Sequence, residues 1–187
     1  MAMPLVAPRY TIADLDRFPD DGNRYELLGG VLLVTPQAGV PHQAVLGRLI
    51  QALWAYLGST GPGFIMAPGA IQAGNDTHLE PDLLIISARF ANVKSWRQIR
   101  DWWLAVEVSG PASRIYDRDF KTAAYLRAGV REVWRLDLRD RTLYLSRTGQ
   151  PVEIPHRAQV VWHPVEMAEP LTLDIAAIFG PRSEDSD

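Results

Sequence analysis

Two short apolar runs, residues 79–86 and 102–108, leave this chain few options, because each carries a carboxylate. The first reads Leu79-Glu80-Pro81-Asp82-Leu83-Leu84-Ile85-Ile86. The second reads Trp102-Trp103-Leu104-Ala105-Val106-Glu107-Val108. Near-continuous apolar runs of this length are expected as strands covered on both sheet faces. Asp82 and Glu107 are costly in such runs unless a charged partner sits with them. The helix expected over residues 117–128 offers Lys121 in its first turns, and Gly129 closes it.

Lysine is scarce enough to give that position weight. The chain has 17 Arg but only two Lys, Lys94 and Lys121. Arginine keeps its proton in proteins, whereas lysine can be tuned and acts as a compact point charge. The 187 residues suit one domain, expected over 11–180, after an N-terminal arm (1–10) and before a disordered acidic tail (181–187). Cysteine is absent, which excludes disulfides and Cys-based zinc sites. The apolar runs are too short to span a bilayer, and no basic-then-hydrophobic leader opens the chain. The expectation is a cytoplasmic protein without membrane contact. A net charge of −3 does not advertise a nucleic-acid binder, although arginines recur between residues 89 and 118.

In chain order, Thr11 and Asp14 suggest a capped short helix over residues 11–17. Residues 24–35 read as a hairpin broken at Gly29-Gly30, with Glu26 inside it. Pro41 opens a helix running to about Leu57, with His42, Leu46, Leu49 and Leu53 on one stripe, flanked by Val45, Ile50 and Trp54. Residues 64–72 are expected as one strand, bulged or at an edge because of Pro68 and Gly69. Residues 88–101 read as a loop with a turn or two of helix. Residues 131–138 and 142–146 form a second hairpin, followed by short strands at 152–154, 159–162 and 171–175 and a last helical turn at 176–179.

If the two carboxylate-bearing strands pair antiparallel with Ile86 opposite Trp103, Asp82 faces Glu107. Directly opposed residues have Cβ atoms roughly 4.5–5.5 Å apart. Two carboxylates that close repel unless one is protonated or a cation joins them. Hard oxygen donors suit Mg²⁺ or Mn²⁺, with the Val108 carbonyl as a further candidate ligand. A cation there, with the Lys121 ammonium beside it, is equipment for phosphodiester hydrolysis.

At this point the residues resemble a known family. Pro81-Asp82, Glu107-Val108-Ser109 and Lys121 resemble the PD-(D/E)XK nuclease superfamily. More narrowly, Tyr25-Glu26-Leu27, His42, Pro81-Asp82, Val106-Glu107-Val108 with Pro111 close behind, and Lys121 followed by residues 125–134 (YLRAGVREVW) are similar to a restriction-endonuclease-like family long catalogued as a domain of unknown function. The superfamily pattern puts lysine two residues after the acid; here that position is Ser109, and the resemblance implies that the lysine has migrated to Lys121. The resemblance implies an α/β (α+β) fold with an αβββαβ core starting at the His42 helix. It implies a mixed sheet flanked by helices, with extra N-terminal and C-terminal hairpins. It further implies Asp82 and Glu107 as metal ligands, Lys121 as the catalytic lysine, and Glu26 and His42 as additional site residues.

The preferred reading is a Mg²⁺- or Mn²⁺-dependent DNA endonuclease acting as a homodimer, since two-fold symmetry matches the duplex backbone. A second reading is a binding or interaction module on the same fold, which the acidic pI and Trp-rich elements read as surface would suit. A third is a phosphatase or nucleotide hydrolase using the same metal chemistry. Each site residue also has a plain structural reading. Glu107 could pair with a buried arginine, Glu26 with Arg24 or Arg48 at the surface, and Tyr125 could simply fill the core. Asp117 and Asp119 are read as residues favouring a helix N-terminus.

Overall fold

The two carboxylate-bearing runs lie side by side at the centre of a six-stranded mixed sheet in a computed structural model, which describes residues 9–110, 113, 117–150 and 152–181. The arm at residues 1–8, most of the acidic tail and Pro111 lie outside the described residues.

The elements in chain order are α1 (Ile12–Leu15), β1 (Arg24–Leu28), β2 (Val31–Thr35), α2 (Val40–Leu57), β3 (Gly63–Met66), β4 (Ile71–Ala73), β5 (Thr77–Leu79), β6 (Leu83–Ser87) and β7 (Trp102–Ser109). A π-helical turn, Asp117–Lys121, leads into α3 (Thr122–Ala128), and then come β8 (Glu132–Asp137), β9 (Thr142–Arg147), β10 (Ile154–His156), β11 (Gln159–Trp162), β12 (Leu171–Asp174) and α4 (Ile175–Phe179). The large sheet has the order β10-β9-β8-β7-β6-β3. Among the described residues only β7 and β8 pair parallel, and the crossover between them is α3. The expected αβββαβ core is therefore α2-β3-β6-β7-α3-β8, extended at its C-terminal side by the β9 hairpin.

Both faces of this sheet are covered, as the unbroken apolar runs require. Leu83 and Ile85 of β6 and Leu104, Val106 and Val108 of β7 pack with Leu46, Leu49 and Leu53 of α2. The alternate residues Leu84, Ile86 and Ala105 pack with Ala124 and Tyr125 of α3 on the opposite face. Burying each such side chain is worth roughly 1.5–3 kcal/mol relative to exposure. The α2 stripe follows the helical spacing, with one exception: Trp54 is 53% exposed and lies outside it.

A second sheet, β2-β1-β5-β4, covers the α3 side, and its Leu33, Ile71 and Leu79 join that core cluster. The β1–β2 hairpin turns at Gly29-Gly30 with φ of 56° and 80°, the left-handed pair that a tight hairpin turn needs. The single strand expected over residues 64–72 is instead two strands in two different sheets. Pro68 and Gly69 break it, and Gly69 comes so close to the large sheet that a Cβ there would overlap Leu84 Cβ. All six residues of β8 are buried. At the N-terminus the Asp14 carboxylate accepts the Thr11 N–H at 2.8 Å, as the capping motif implies.

The register expected between β6 and β7 holds only at the functional end. Leu83 pairs with Val106 and Ile85 with Leu104, but a bulge then sets Ile86 opposite Trp102 rather than Trp103. The extra residue, Trp103, joins the α2-side core.

Candidate functional site

Asp82 immediately precedes β6, at the end of the sheet where β7 runs on past its partner. Leu83↔Val106 is the last β6–β7 pair, so on that side the Val108 N–H has no β6 residue opposite it. It donates instead to Asp82 Oδ2 at 2.8 Å. His42, in the first turn of α2, approaches the same oxygen through Nε2 at 2.9 Å. Arg24 of β1 donates to Oδ1 at 3.0 Å and also to the Glu80 carbonyl at 2.9 Å. Burial would raise the Asp82 pKa. The His42 hydrogen bond and charge, Arg24 and the Val108 N–H outweigh it and hold the carboxyl below its usual value. The same carboxylates raise the Arg24 pKa despite the desolvation of its guanidinium.

Glu107 sits on β7 facing α3. Its Oε1 accepts the Tyr125 hydroxyl at 2.5 Å and the Lys121 ammonium at 3.4 Å. Lys121 is 2% exposed, among the most buried side chains of the protein. Its Nζ lies 2.5 Å from Glu26 Oε2, 3.4 Å from Glu107 Oε1 and 3.7 Å from Asp117 Oδ1. Glu26 reaches it from the second sheet while its other oxygen accepts the Glu80 N–H at 2.7 Å. Asp117 Oδ2 accepts the Ser109 hydroxyl at 2.9 Å. Asp117 Oδ1, fully buried, has no hydrogen bond among the described residues.

The cluster is short of positive charge. Glu26, Asp82, Glu107 and Asp117 face two permanent cations, Arg24 and Lys121. Desolvation pushes the Glu107 pKa well above the usual carboxylate value; Lys121 opposes this, and Asp117, Asp82 and Glu26 reinforce it. Desolvation alone would lower Lys121, but Glu107, Glu26 and Asp117 raise it above its ordinary value, so the amine stays protonated. Burial and the surrounding acids thus favour the protonated form of Glu107 when no further cation is present. Tyr125 is likewise raised, by burial and then by the neighbouring Glu107, and serves as a hydroxyl donor.

Arg24, His42, Asp82, Glu107, Val108, Asp117 and Lys121 line one cleft of about 530 Å³, while Glu26 and Tyr125 lie buried behind its wall. Among the described residues no three His, Asp or Glu side chains form a ready ligand cage. The donor set nevertheless suits a hard divalent ion that keeps much of its water. Asp82 Oδ1 has one donor and hence a lone pair to spare, and Glu107 Oε2 accepts no hydrogen bond among the described residues. An added positive charge would also relieve the acid surplus.

All five side chains that the sequence marks, Glu26, His42, Asp82, Glu107 and Lys121, therefore meet in one neighbourhood. Among the described residues neither Glu26 nor Glu107 pairs with an arginine at ion-pair distance, and both turn to Lys121. Tyr125 fills the core and also meets the site. Arg24 and Asp117 join the site without having been marked by the sequence as members of it. Asp117 stands four residues before Lys121, one helical turn away, a spacing that could have indicated it. Arg24 reaches Asp82 across 58 residues and left no local signal. The arginines of residues 89–118 do not form a basic face. Arg89 pairs with Asp101 and Arg118 with Asp119, while Arg97 and Arg100 donate to backbone carbonyls. Arg114 lies outside the described residues. Trp102, Trp103, Trp134 and Trp162 are buried, which removes most of the aromatic surface that a binding module would present.

A family model described as "Putative restriction endonuclease", Uma2, matches residues 12–176. No curated protein matches the chain. Among solved structures, a putative nuclease belonging to DUF820 from Anabaena variabilis ATCC 29413 is similar at a TM-score of 0.69. It is 16% identical, and the match covers 91% of this chain and 97% of that one. At that identity the likeness speaks for the fold, a restriction-endonuclease-like mixture of sheets and helices.

Proposed function

The chain belongs to the Uma2 restriction-endonuclease-like family, and from that premise we propose that it is a metal-dependent endonuclease hydrolysing DNA phosphodiester bonds. The observation that carries this reading is the meeting of residues 82, 107 and 121, from three separate elements, in the wall of one acid-rich cleft.

In this reading Asp82 and Glu107 hold Mg²⁺ or Mn²⁺, with the Val108 carbonyl as a further ligand. The chemistry supplied by the ion, when bound, is a lowered pKa for water and neutralisation of charge building on the phosphoryl oxygens. With such an ion bound, its positive charge would favour the ionised form of Glu107 against the burial that raises its pKa. His42, Arg24 and the Val108 N–H fix the orientation of Asp82 and keep it ionised. Lys121, held protonated, is not a general base; its ammonium orients the attacking water or a phosphate oxygen by hydrogen bonding. Glu26 and Asp117 keep that ammonium in place, and Tyr125 aims Glu107. A homodimer would present two such clefts to the two strands of a duplex. Among the described residues no helix is long and apolar enough to cross a membrane.

The test is cleavage of supercoiled, linear and single-stranded DNA with Mg²⁺ and with Mn²⁺, alongside Asp82→Asn, Glu107→Gln and Lys121→Met variants whose folding is checked by circular dichroism. The expected result is metal-dependent cutting by the parent chain and none by the folded variants. Folded parent protein that neither binds Mn²⁺ nor cuts any of the three substrates overturns the proposal. Sizing in solution checks the dimer.

A further inference from the structure

An acid-rich cleft repels the polyanion it is meant to cut, so the force that holds DNA must come from elsewhere on the protein. A second cleft, of about 440 Å³, adjoins the first and shares Pro41 and Leu138 with it. Three arginines line it: Arg48 of α2, and Arg139 and Arg141 of the turn between β8 and β9.

Among the described residues these three have no carboxylate partner at ion-pair distance, as is also true of Arg9, Arg97, Arg100, Arg127 and Arg157, but these three line one cleft. Arg24, Arg89, Arg118, Arg131, Arg135 and Arg147 are all paired with acids. Arg48 instead donates to the Phe179 carbonyl at 3.3 Å, and Arg141 donates to the Gly180 carbonyl. Both carbonyls lie at the C-terminal end of α4. Each contact uses one N–H of a five-donor fork, leaving the charge intact and other donors available. The Arg48 guanidinium is also packed tightly, since a Cβ on Gly180 would lie 2.6 Å from its Cζ. Arg139 is exposed and has no side-chain contact of this kind. One carboxylate, Asp140, lines the same cleft, with its Oδ2 accepting the Tyr144 hydroxyl at 3.3 Å, and it offsets one of the three charges.

We propose that the Arg48–Arg139–Arg141 cleft holds backbone phosphates of the DNA strand that flanks the bond to be cut. This rests on the endonuclease reading of the adjoining cleft. Phosphate contacts of this kind set the register of the strand without reading its sequence.

The experiment is fluorescence anisotropy of a short labelled DNA duplex bound to the full chain in Ca²⁺, repeated over a series of salt concentrations, with Mn²⁺ affinity measured separately. Arg139→Gln and Arg48→Gln are each expected to weaken binding and to reduce the slope of log K against log salt by about 0.9 for each phosphate no longer neutralised. Arg127→Gln, exposed at the opposite end of β8, makes the same change in net charge and is expected to leave the slope unchanged. Mn²⁺ affinity should match the parent in all three variants. Arg139→Gln and Arg48→Gln indistinguishable from Arg127→Gln would overturn the proposal, as would a parent chain that binds no duplex. Because Arg139 is exposed and contributes nothing to the core, its variant keeps the test valid if Arg48→Gln folds poorly. Loss of DNA binding in the arginine variants of a chain that neither binds Mn²⁺ nor cuts would support this cleft while sinking the endonuclease reading.

Discussion

Lys121→Met removes the one ammonium at the centre of three buried carboxylates while keeping most of the side-chain volume. Its Nζ lies 2.5, 3.4 and 3.7 Å from Glu26, Glu107 and Asp117. At an effective dielectric of about 20 the gross attraction to each ionised partner is about 4–7 kcal/mol. Desolvation of the ammonium offsets several kcal/mol of that total. The net loss expected is the range for breaking a buried ion pair, about 3–5 kcal/mol at neutral pH, because the acids are left buried and unpaired. For a chain of this size that lowers the melting temperature by about 10 °C. The cost should shrink as pH falls, since protonation of Glu107, whose pKa burial already raises, removes part of the uncompensated charge. Chemical denaturation at pH 5 and pH 8, without metal, measures both effects. Pairing the change with Glu26→Gln should recover part of the loss, giving a coupling energy on the order of 1–3 kcal/mol. A loss below about 1 kcal/mol that is the same at both pH values, with additive double-variant behaviour, would refute the reasoning.

Two further expectations follow from the same geometry. Glu107 has a raised pKa in the folded state, so folding takes up a proton there, and stability falls as pH rises above the unfolded carboxylate value of about 4.3. Glu107→Gln removes that penalty. It should therefore be more stable than the parent at pH 8 without metal, on the order of 1–2 kcal/mol, and nearly equal to it at pH 4, as read by thermal melts; added Mn²⁺ should stabilise the parent but not the variant. Gly69→Ala puts a methyl group into Leu84 of β6, and overpacking of this kind should cost about 1–3 kcal/mol in urea denaturation.

The site divides into what is legible along the chain and what is not. Asp82, Glu107 and Lys121 stand out because a charge inside an apolar run, or a rare lysine on a helix that follows one, is anomalous against its neighbours. Their approach follows from local rules: antiparallel β6 and β7 bring 82 beside 107, and a crossover helix after β7 must return over the same sheet end. The expected register holds there, and the bulge that breaks it lies toward the other end, where two adjacent tryptophans give no basis for choosing the opposed one. Residues 64–72 read as one strand because the pattern marks a break at Pro68-Gly69 without saying whether the chain stays in its sheet. The run of arginines between residues 89 and 118 suggests a basic face, yet proximity in sequence does not set direction, and Arg89, Arg97, Arg100 and Arg118 are spent on acids and backbone carbonyls.

The sequence by itself determined the doubly covered central strands, the hairpins, the places of the helices and the residues whose charge needed an explanation, because burial period and turn chemistry are local properties. Only the tertiary structure decided who answers those charges. Glu26 meets Lys121, and Arg24 meets Asp82, because the second sheet packs against the α3 side of the first, and Arg48 joins Arg139 and Arg141 because α4 closes over α2. Those meetings depend on how separate layers are stacked, and a long-range packing choice leaves no periodic trace in the segments it joins.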